Sequence, residues 1–390
     1  MDAFGDDPGR GPSTESARGC AFLLPGPGRL RHSARVSDAP LSLVTSEPFR
    51  PVADPRGRTD VELLALAGDA RDRIHRAVST RVVGQDDALD ALLVALFARG
   101  HALVVGVPGL AKTLLVSTLG AALDLSFGRV QFTPDLLPSD VTGADVLVDE
   151  VVPGTHDVRR AIRFLPGPVF HSLVLADEVN RTPPKTQAAL LQAMQEREVT
   201  VGSTTHKLPD PFSVFATRNP IEQEGTYSLP EAQLDRFLLE VHLGYPSEAH
   251  ERAIARKAAP GPEDPVPRVL GREDVLAIQS LVPRIPITDE AVRRAVAMVR
   301  CTRPEDERAT SATKLYVRFG AGPRASQALV RSAKARAALR GEAAADVHDI
   351  LALAPLVLRH RIVRNFRAES EGIRDVELVR DVVEASARAH

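Results

Sequence analysis

The sequence predicts an α/β fold, a parallel sheet with helices around it, followed by an all-α region. Three observations carry that expectation. Short apolar runs at 102–105, 172–176 and 212–217 alternate with loops and helical stretches, as buried parallel strands do. A glycine-rich turn follows the first run directly. From about Glu248 onward strand signals fade and helical spacing takes over.

Taken in order, residues 1–58 hold eight prolines and seven glycines with almost no periodic apolar pattern. Such a composition cannot offset the cost of ordering a backbone, and the segment reads as a disordered tail with a short element near 41–44. Helical spacing begins after Thr59, which stands as an N-cap, and a second helix is expected over 86–98. The first strand, 102–105, leads through the glycine-rich turn into a helix over 113–123. The strand at 172–176 ends in two acids, and the strand at 212–217 ends in a polar turn. Helices are then expected over 248–257, 289–300, 324–340 with Gly341 as a stop, 346–359 and 376–387, with a Pro-rich connector at 260–267. The domain division expected is 1–58 for the tail, 59–247 for the α/β part and 248–390 for the helical part.

Composition narrows the function. The 390 residues are 44% apolar and 26% charged, with a formal charge of −2. No global basic field for nucleic acid exists. Cys20 and Cys301 lie far apart, so neither a disulfide scaffold nor a zinc site is expected, and the eleven histidines show no metal-ligand spacing. His101 and His171 flank strands and read as structural; Cys301 reads as an ordinary thiol. No apolar run approaches the roughly 18 residues of a membrane span, and the first residues lack a secretory pattern. A cytoplasmic protein is expected. The chain has 43 arginines and six lysines, so a lysine inside a motif is informative.

Chemistry concentrates at the strand ends. Gly106-Val107-Pro108-Gly109-Leu110-Ala111-Lys112-Thr113 joins a strand to a helix, the setting of a phosphate-binding loop. Backbone N–H groups would wrap the phosphates, Lys112 would reach the β- and γ-phosphates, and Thr113 would ligate Mg²⁺. Ala111 stands where the strict pattern has Gly; placed in the first helical turn, its methyl group is tolerable. Asp177 and Glu178 close a buried strand 65 residues after Lys112. Buried adjacent carboxylates are costly unless they serve something: Asp177 would hold Mg²⁺ and Glu178 would activate water, although the pair alone also suits a solvated turn. Asn219, before Pro220, suits either a phosphate or water contact or a plain turn. Arg236 follows the run Leu-Pro-Glu-Ala-Gln-Leu-Asp, where a surface charge is the ordinary reading. Arg324 follows Pro323 near a helix N-terminus, a poor place for a cation unless an anion is present. Asn180 and Arg181 fit either a nucleotide-site or interface role or a simple loop.

In this order the motifs resemble the AAA+ ATPases and, within them, the MoxR family. The stretches Gly-Val-Pro-Gly-Leu-Ala-Lys-Thr, Leu-Ala-Asp-Glu-Val-Asn-Arg, Ala-Thr-Arg-Asn-Pro, Leu-Pro-Glu-Ala-Gln-Leu-Asp-Arg-Phe and Gly-Ala-Gly-Pro-Arg-Ala carry the likeness. So does Gln-Phe-Thr-Pro-Asp-Leu-Leu-Pro-Ser-Asp-Val-Thr-Gly at 131–143. The resemblance covers about 59–390. It implies Walker A at 106–113, with Ala111 the family's own variant, and Walker B at Asp177 and Glu178. It implies sensor 1 at Asn219, an arginine finger at Arg236 reaching the neighbour's nucleotide, and sensor 2 at Arg324, in cis or in trans. Val83, Gly84 and Gln85 would border the adenine. An insertion in the second helix is implied over 141–169, and a hairpin over 198–208. Arg218 and Gly322 depart from the usual Gln and Ser without touching a catalytic role.

The resemblance further implies an ATP- and Mg²⁺-dependent ATPase in a homo-oligomeric, hexameric ring. Its work would be remodelling, maturation or metal-cofactor loading of a client, with a von Willebrand factor A-domain partner. Three rivals stand beside it: a magnesium-chelatase-like subunit, a nucleic-acid-directed motor and a nucleotide-gated scaffold. Near-neutral charge and the lack of a DNA-binding domain weigh against the second. Intact Glu178 and Arg236 weigh against the third.

Overall fold

In a computed structural model, the described residues are 56–151, 158–220, 226–257 and 265–388. The expected disorder of 1–55, the element near 41–44 and most of the Pro-rich connector lie outside them. The last residues assigned to the tail are anchored: Arg56 and Arg58 pair with Asp274 at 2.9 and 2.8 Å.

Helix α1 (Asp60–Ser79) starts at Thr59, whose hydroxyl accepts from Glu62 N–H while the Glu62 carboxylate accepts from Thr59 N–H. This reciprocal cap satisfies donors a helix start leaves open. Helix α2 (Asp86–Phe97) precedes β1 (Ala102–Val105), α3 (Lys112–Ala122) and β2 (Phe127–Gln131). Next come α4 (Pro138–Thr142) and an antiparallel hairpin, β3 (Gly143–Val151) with β4 (Val158–Pro166), occupying the expected insertion. Strand β5 (Leu173–Asp177), helix α5 (Pro184–Glu196) and a second hairpin, β6 (Glu198–Val201) with β7 (Thr204–Lys207), follow. Strand β8 (Ser213–Arg218), α6 (Glu231–Leu234) and β9 (Leu239–His242) complete the α/β part.

Among the described residues the main sheet is parallel, in the order β2-β5-β8-β1-β9. Strands β2 and β9 are additions to the sequence reading. Both lie at edges and both carry charge (Arg129 in β2, Glu240 in β9), so neither shows as a plain apolar run. The central strands alternate between two cores. Ala102, Val104, Leu173, Leu175 and Phe215 face α1, α2 and α3, whereas Leu103, Val105, Val174, Ala176, Val214 and Ala216 face α5. This is the period-2 consequence of the pleat, applied to strands buried on both faces.

The helical part comprises α7 (Glu248–Lys257), α8 (Arg272–Leu281), α9 (Asp289–Cys301), α10 (Ser311–Tyr316), β10 (Val317–Phe319), α11 (Pro323–Leu339), α12 (Val347–Leu358), β11 (Val363–Arg364), α13 (Phe366–Ser370) and α14 (Asp375–Arg388). The small antiparallel pair β10–β11 sits within an otherwise helical lid. Ala325, Leu329, Ile350, Leu353 and Val357 of α11 and α12 join the core of α1 and α2, so lid and sheet share one apolar interior. Cys301 is buried at the end of α9. No described helix is long and apolar enough to cross a membrane.

Candidate active site at the strand ends

In a parallel sheet the carboxyl ends of the strands lie along one edge, and ligands gather there. Strands β1, β5 and β8 bring their ends together: Val105 pairs with Arg218, and Ala176 with Ala216. The 106–113 loop, Asp177–Glu178 and Asn219 therefore share an edge, and Gly106 N–H donates to Arg218 O at 3.3 Å.

The loop's conformation corrects one expectation. Ala111 is not in the first helical turn. It is the N-cap of α3 and adopts φ +55°, ψ +26°, the left-handed region that favours glycine. Its methyl group is borne at a backbone cost of roughly 1–2 kcal/mol, which explains why the strict pattern has Gly there. Gly109, at φ +84°, has open space where a Cβ would point. Lys112 Nζ donates to Gly106 O at 2.6 Å, folding the ammonium over the loop it would serve.

Asp177 is buried, and its carboxylate is fully engaged. Oδ1 accepts from Thr217 Oγ1 at 2.6 Å; Oδ2 accepts from Arg129 Nη2 at 2.8 Å and Thr113 Oγ1 at 3.2 Å. Burial pushes its pKa up, but the bonds from Thr217 and Arg129 and the Arg129 charge outweigh that and hold it below the usual carboxylate range. Glu178 also takes a left-handed backbone, φ +58°. Its N–H donates to Thr217 Oγ1 at 2.8 Å, while Oε2 accepts from Gln131 Nε2 and Arg181 Nη1, each at 2.9 Å. Arg181 thus acts on Glu178, while Asn180 is buried and its carbonyl accepts from Tyr227 N–H. Asn219 is buried just beyond β8.

Sequence reading missed Thr217, Arg129 and Gln131. Thr217 stood in plain view one residue before Arg218, but only the sheet register shows that its hydroxyl bridges Asp177 and Glu178. Val83, Gly84 and Gln85 form the half-buried turn from α1 to α2, with Gly84 at φ +75°. His250 of α7 lies so close that a Cβ on Gly84 would stand 2.3 Å from its Nδ1. The segment leaving β9 passes Gly106 at Leu243 and reaches Gly84 at His250, so it borders both stations.

Arg236 and Arg324 are elsewhere. Leu238 N–H donates to His101 O, at the beginning of β1. Arg236 therefore lies at the amino edge of the sheet, opposite the 106–113 loop. Arg324, at the start of α11, joins it there: Nη1 stands 3.6 Å from Asp235 Oδ2. Both line a cleft of about 250 Å³ with Arg331 and Arg361. The structure brings Arg324 to Arg236 and not to Lys112 of the same chain. His101 and His171 are structural: His101 donates Nε2–H to Met194 O and accepts from Val214 N–H at Nδ1, with burial pushing its pKa down to about 3, and His171 bonds Pro168 O.

Comparison with known proteins bears on the fold and the family. Residues 101–239 match the ATPase family associated with various cellular activities (AAA), and residues 309–382 match the AAA lid domain. Chaperone MoxR1 of Mycobacterium tuberculosis is 39% identical over 84% of both chains. The uncharacterized protein YeaC of Bacillus subtilis is 40% identical over 83% of this chain and 95% of its own. Protein MoxR of Methylorubrum extorquens is 32% identical over 81% and 93%. A crystal structure of a protein assigned as an ATPase, from Cytophaga hutchinsonii, superposes with a TM-score of 0.76 at 38% identity, over 83% of this chain and 96% of that one. With a parallel α/β sheet, a helical lid and relatives matched over most of their length, the chain belongs to the MoxR family of AAA+ ATPases.

Proposed function

We propose that this protein hydrolyses ATP, with Mg²⁺, at sites shared between neighbouring copies in a hexameric ring. The observation that carries the reading is the separation within one chain. Residues 106–113, Asp177 and Glu178 lie on one edge of the sheet, and Arg236 and Arg324 lie on the other. A head-to-tail ring joins these edges between copies. The division into an α/β part over 59–247 and a lid over 248–390 belongs to the same proposal.

The donor set fits a hard cation: Thr113 Oγ1 and Asp177 Oδ2 are oxygens 3.2 Å apart, and Asp177 is held ionised. Bound Mg²⁺ would neutralise charge on the phosphate oxygens. Lys112 and the loop N–H groups bind the phosphate chain, and Ala111's backbone turn aims the start of α3 at it. Val83, Gly84 and Gln85 border the base. Both hydrogen bonds to Glu178 converge on Oε2, leaving Oε1 to orient a water and accept its proton. Asn219 positions that water, and the neighbour's Arg236 and Arg324 stabilise charge on the transferring phosphoryl group.

We assign the output as chaperone-like remodelling that matures a partner protein complex in the cytoplasm. Metal-cofactor insertion is one form of it, and a von Willebrand factor A-domain protein the expected partner. Exposed Leu147 and Ile162, paired across the β3–β4 hairpin, offer an apolar contact for a client.

The test mixes Arg236→Ala with Lys112→Ala, each nearly inactive alone. Random one-to-one mixing completes about a quarter of the interfaces, each pairing an intact loop with an intact finger. Activity should return and rise with protein concentration. No recovery in rings whose subunits demonstrably exchange overturns the shared site.

A further inference from the structure

Arg361, in the helical turn after α12, is 8% exposed. Its guanidinium does not pack idly in the lid. Nε donates to Asp235 Oδ1 at 2.8 Å, Nη2 to Phe237 O at 2.7 Å and to Asp235 O at 3.3 Å, and Nη1 to Leu238 O at 3.3 Å and to Val357 O. Adjacent His360 donates Nε2–H to the same Phe237 carbonyl at 3.1 Å. Two consecutive lid side chains thus hold the backbone on both sides of Arg236. The Asp235 carboxylate gives Oδ1 to Arg361 and faces Arg324 with Oδ2.

A buried guanidinium is costly unless its donors are matched, and its planar fork enforces a geometry that a lysine or an apolar side chain would not. Here every matched partner except Val357 belongs to residues 235–238. Arg236 itself is left to face the cleft.

We infer that Arg361 is a positioning residue for the trans finger, fixing the 235–238 backbone from the lid so that Arg236 and, through Asp235, Arg324 are presented together to the neighbouring subunit. Finger geometry and lid position then move as one unit. The inference rests on the proposed role of Arg236 as a finger acting across the interface.

The test uses the full chain and the same mixing design. Arg361→Gln should lower kcat about 10–100-fold, the scale of a small misplacement of a reacting group. Affinity for ATP and ring mass should stay as in the parent. The lost activity should return on mixing with Lys112→Ala, which supplies an intact finger, and should not return on mixing with Arg236→Ala, which does not. Arg361→Lys, which keeps a charge on Asp235 but not the fork, should fall between, and it decides the matter if Arg361→Gln fails to fold. The inference is overturned if Arg361→Gln turns over normally, or loses ATP affinity in step with activity. It is equally overturned if Lys112→Ala rescues Arg236→Ala but neither Arg361 variant. Failure of Lys112→Ala to rescue Arg236→Ala removes the shared-site reading itself, a separate result.

Discussion

Thr217 offers the sharpest test of how the Asp177–Glu178 edge is built. Its hydroxyl donates to Asp177 Oδ1 at 2.6 Å and accepts from Glu178 N–H at 2.8 Å, and the residue is fully buried. Thr217→Val keeps the shape and removes both bonds. The Glu178 N–H loses its partner, at about 1–3 kcal/mol, and a hydrogen bond to a charged group worth about 1.5–3 kcal/mol disappears. The two losses share one hydroxyl and overlap, so about 2–5 kcal/mol is expected. Thr217→Ser, which restores the hydroxyl, should regain most of it. Urea unfolding of the nucleotide-free protein measures the difference. A second readout follows from the Asp177 carboxyl, held below its ordinary value partly by this bond. A depressed carboxylate contributes stability above its unfolded value and loses it as pH falls through the folded value. In Thr217→Val that acid loss should be smaller and be complete at higher pH. A Val variant within about 0.5 kcal/mol of the parent, with an unmoved acid limb, would refute the bridging role.

Two further outcomes are expected. Ala111→Gly relieves a left-handed alanine but frees the unfolded chain, so it should be neutral or stabilise by up to about 1 kcal/mol, whereas Ala111→Val should cost at least about 1 kcal/mol in the same urea assay. His75 is held by Asp90 at 2.7 Å; that bond raises its pKa above 6.5 against the opposing effect of burial. Its contribution to stability is present below the unfolded value and lost as pH rises through the raised one, so thermal midpoints at about pH 6 and pH 8.5 should converge in His75→Gln.

Legibility followed sequence distance. The 106–113 loop and the Asp177–Glu178 pair are local, each written within a few residues at a strand end, and the structure places them on one edge. Ala111 shows the limit of that reading: its identity was visible and its handedness was not, because φ depends on how the loop closes onto α3. Thr217 and Arg129 reach Asp177 from 40 and 48 residues away, and Arg361 reaches Asp235 from 126. Such partners are chosen by register and packing, which no local pattern records. Strands β2 and β9 escaped for a related reason, since an edge position admits charge into a strand.

The sequence alone determined that the ends of the strands at 102–105, 172–176 and 212–217 would lie together, because buried strands joined by right-handed crossovers run parallel and present their carboxyl ends on one edge. It also determined the helical character of the lid, through 3.6-residue periodicity and terminal signals such as Pro323 and Gly341. Only the tertiary structure decided that Arg324 stands beside Arg236 and across the sheet from Lys112. That placement comes from α11 packing against α1 and α2 in one shared core, and burial of an apolar face is non-directional. The pattern of a helix says which face is buried and leaves open against which neighbour.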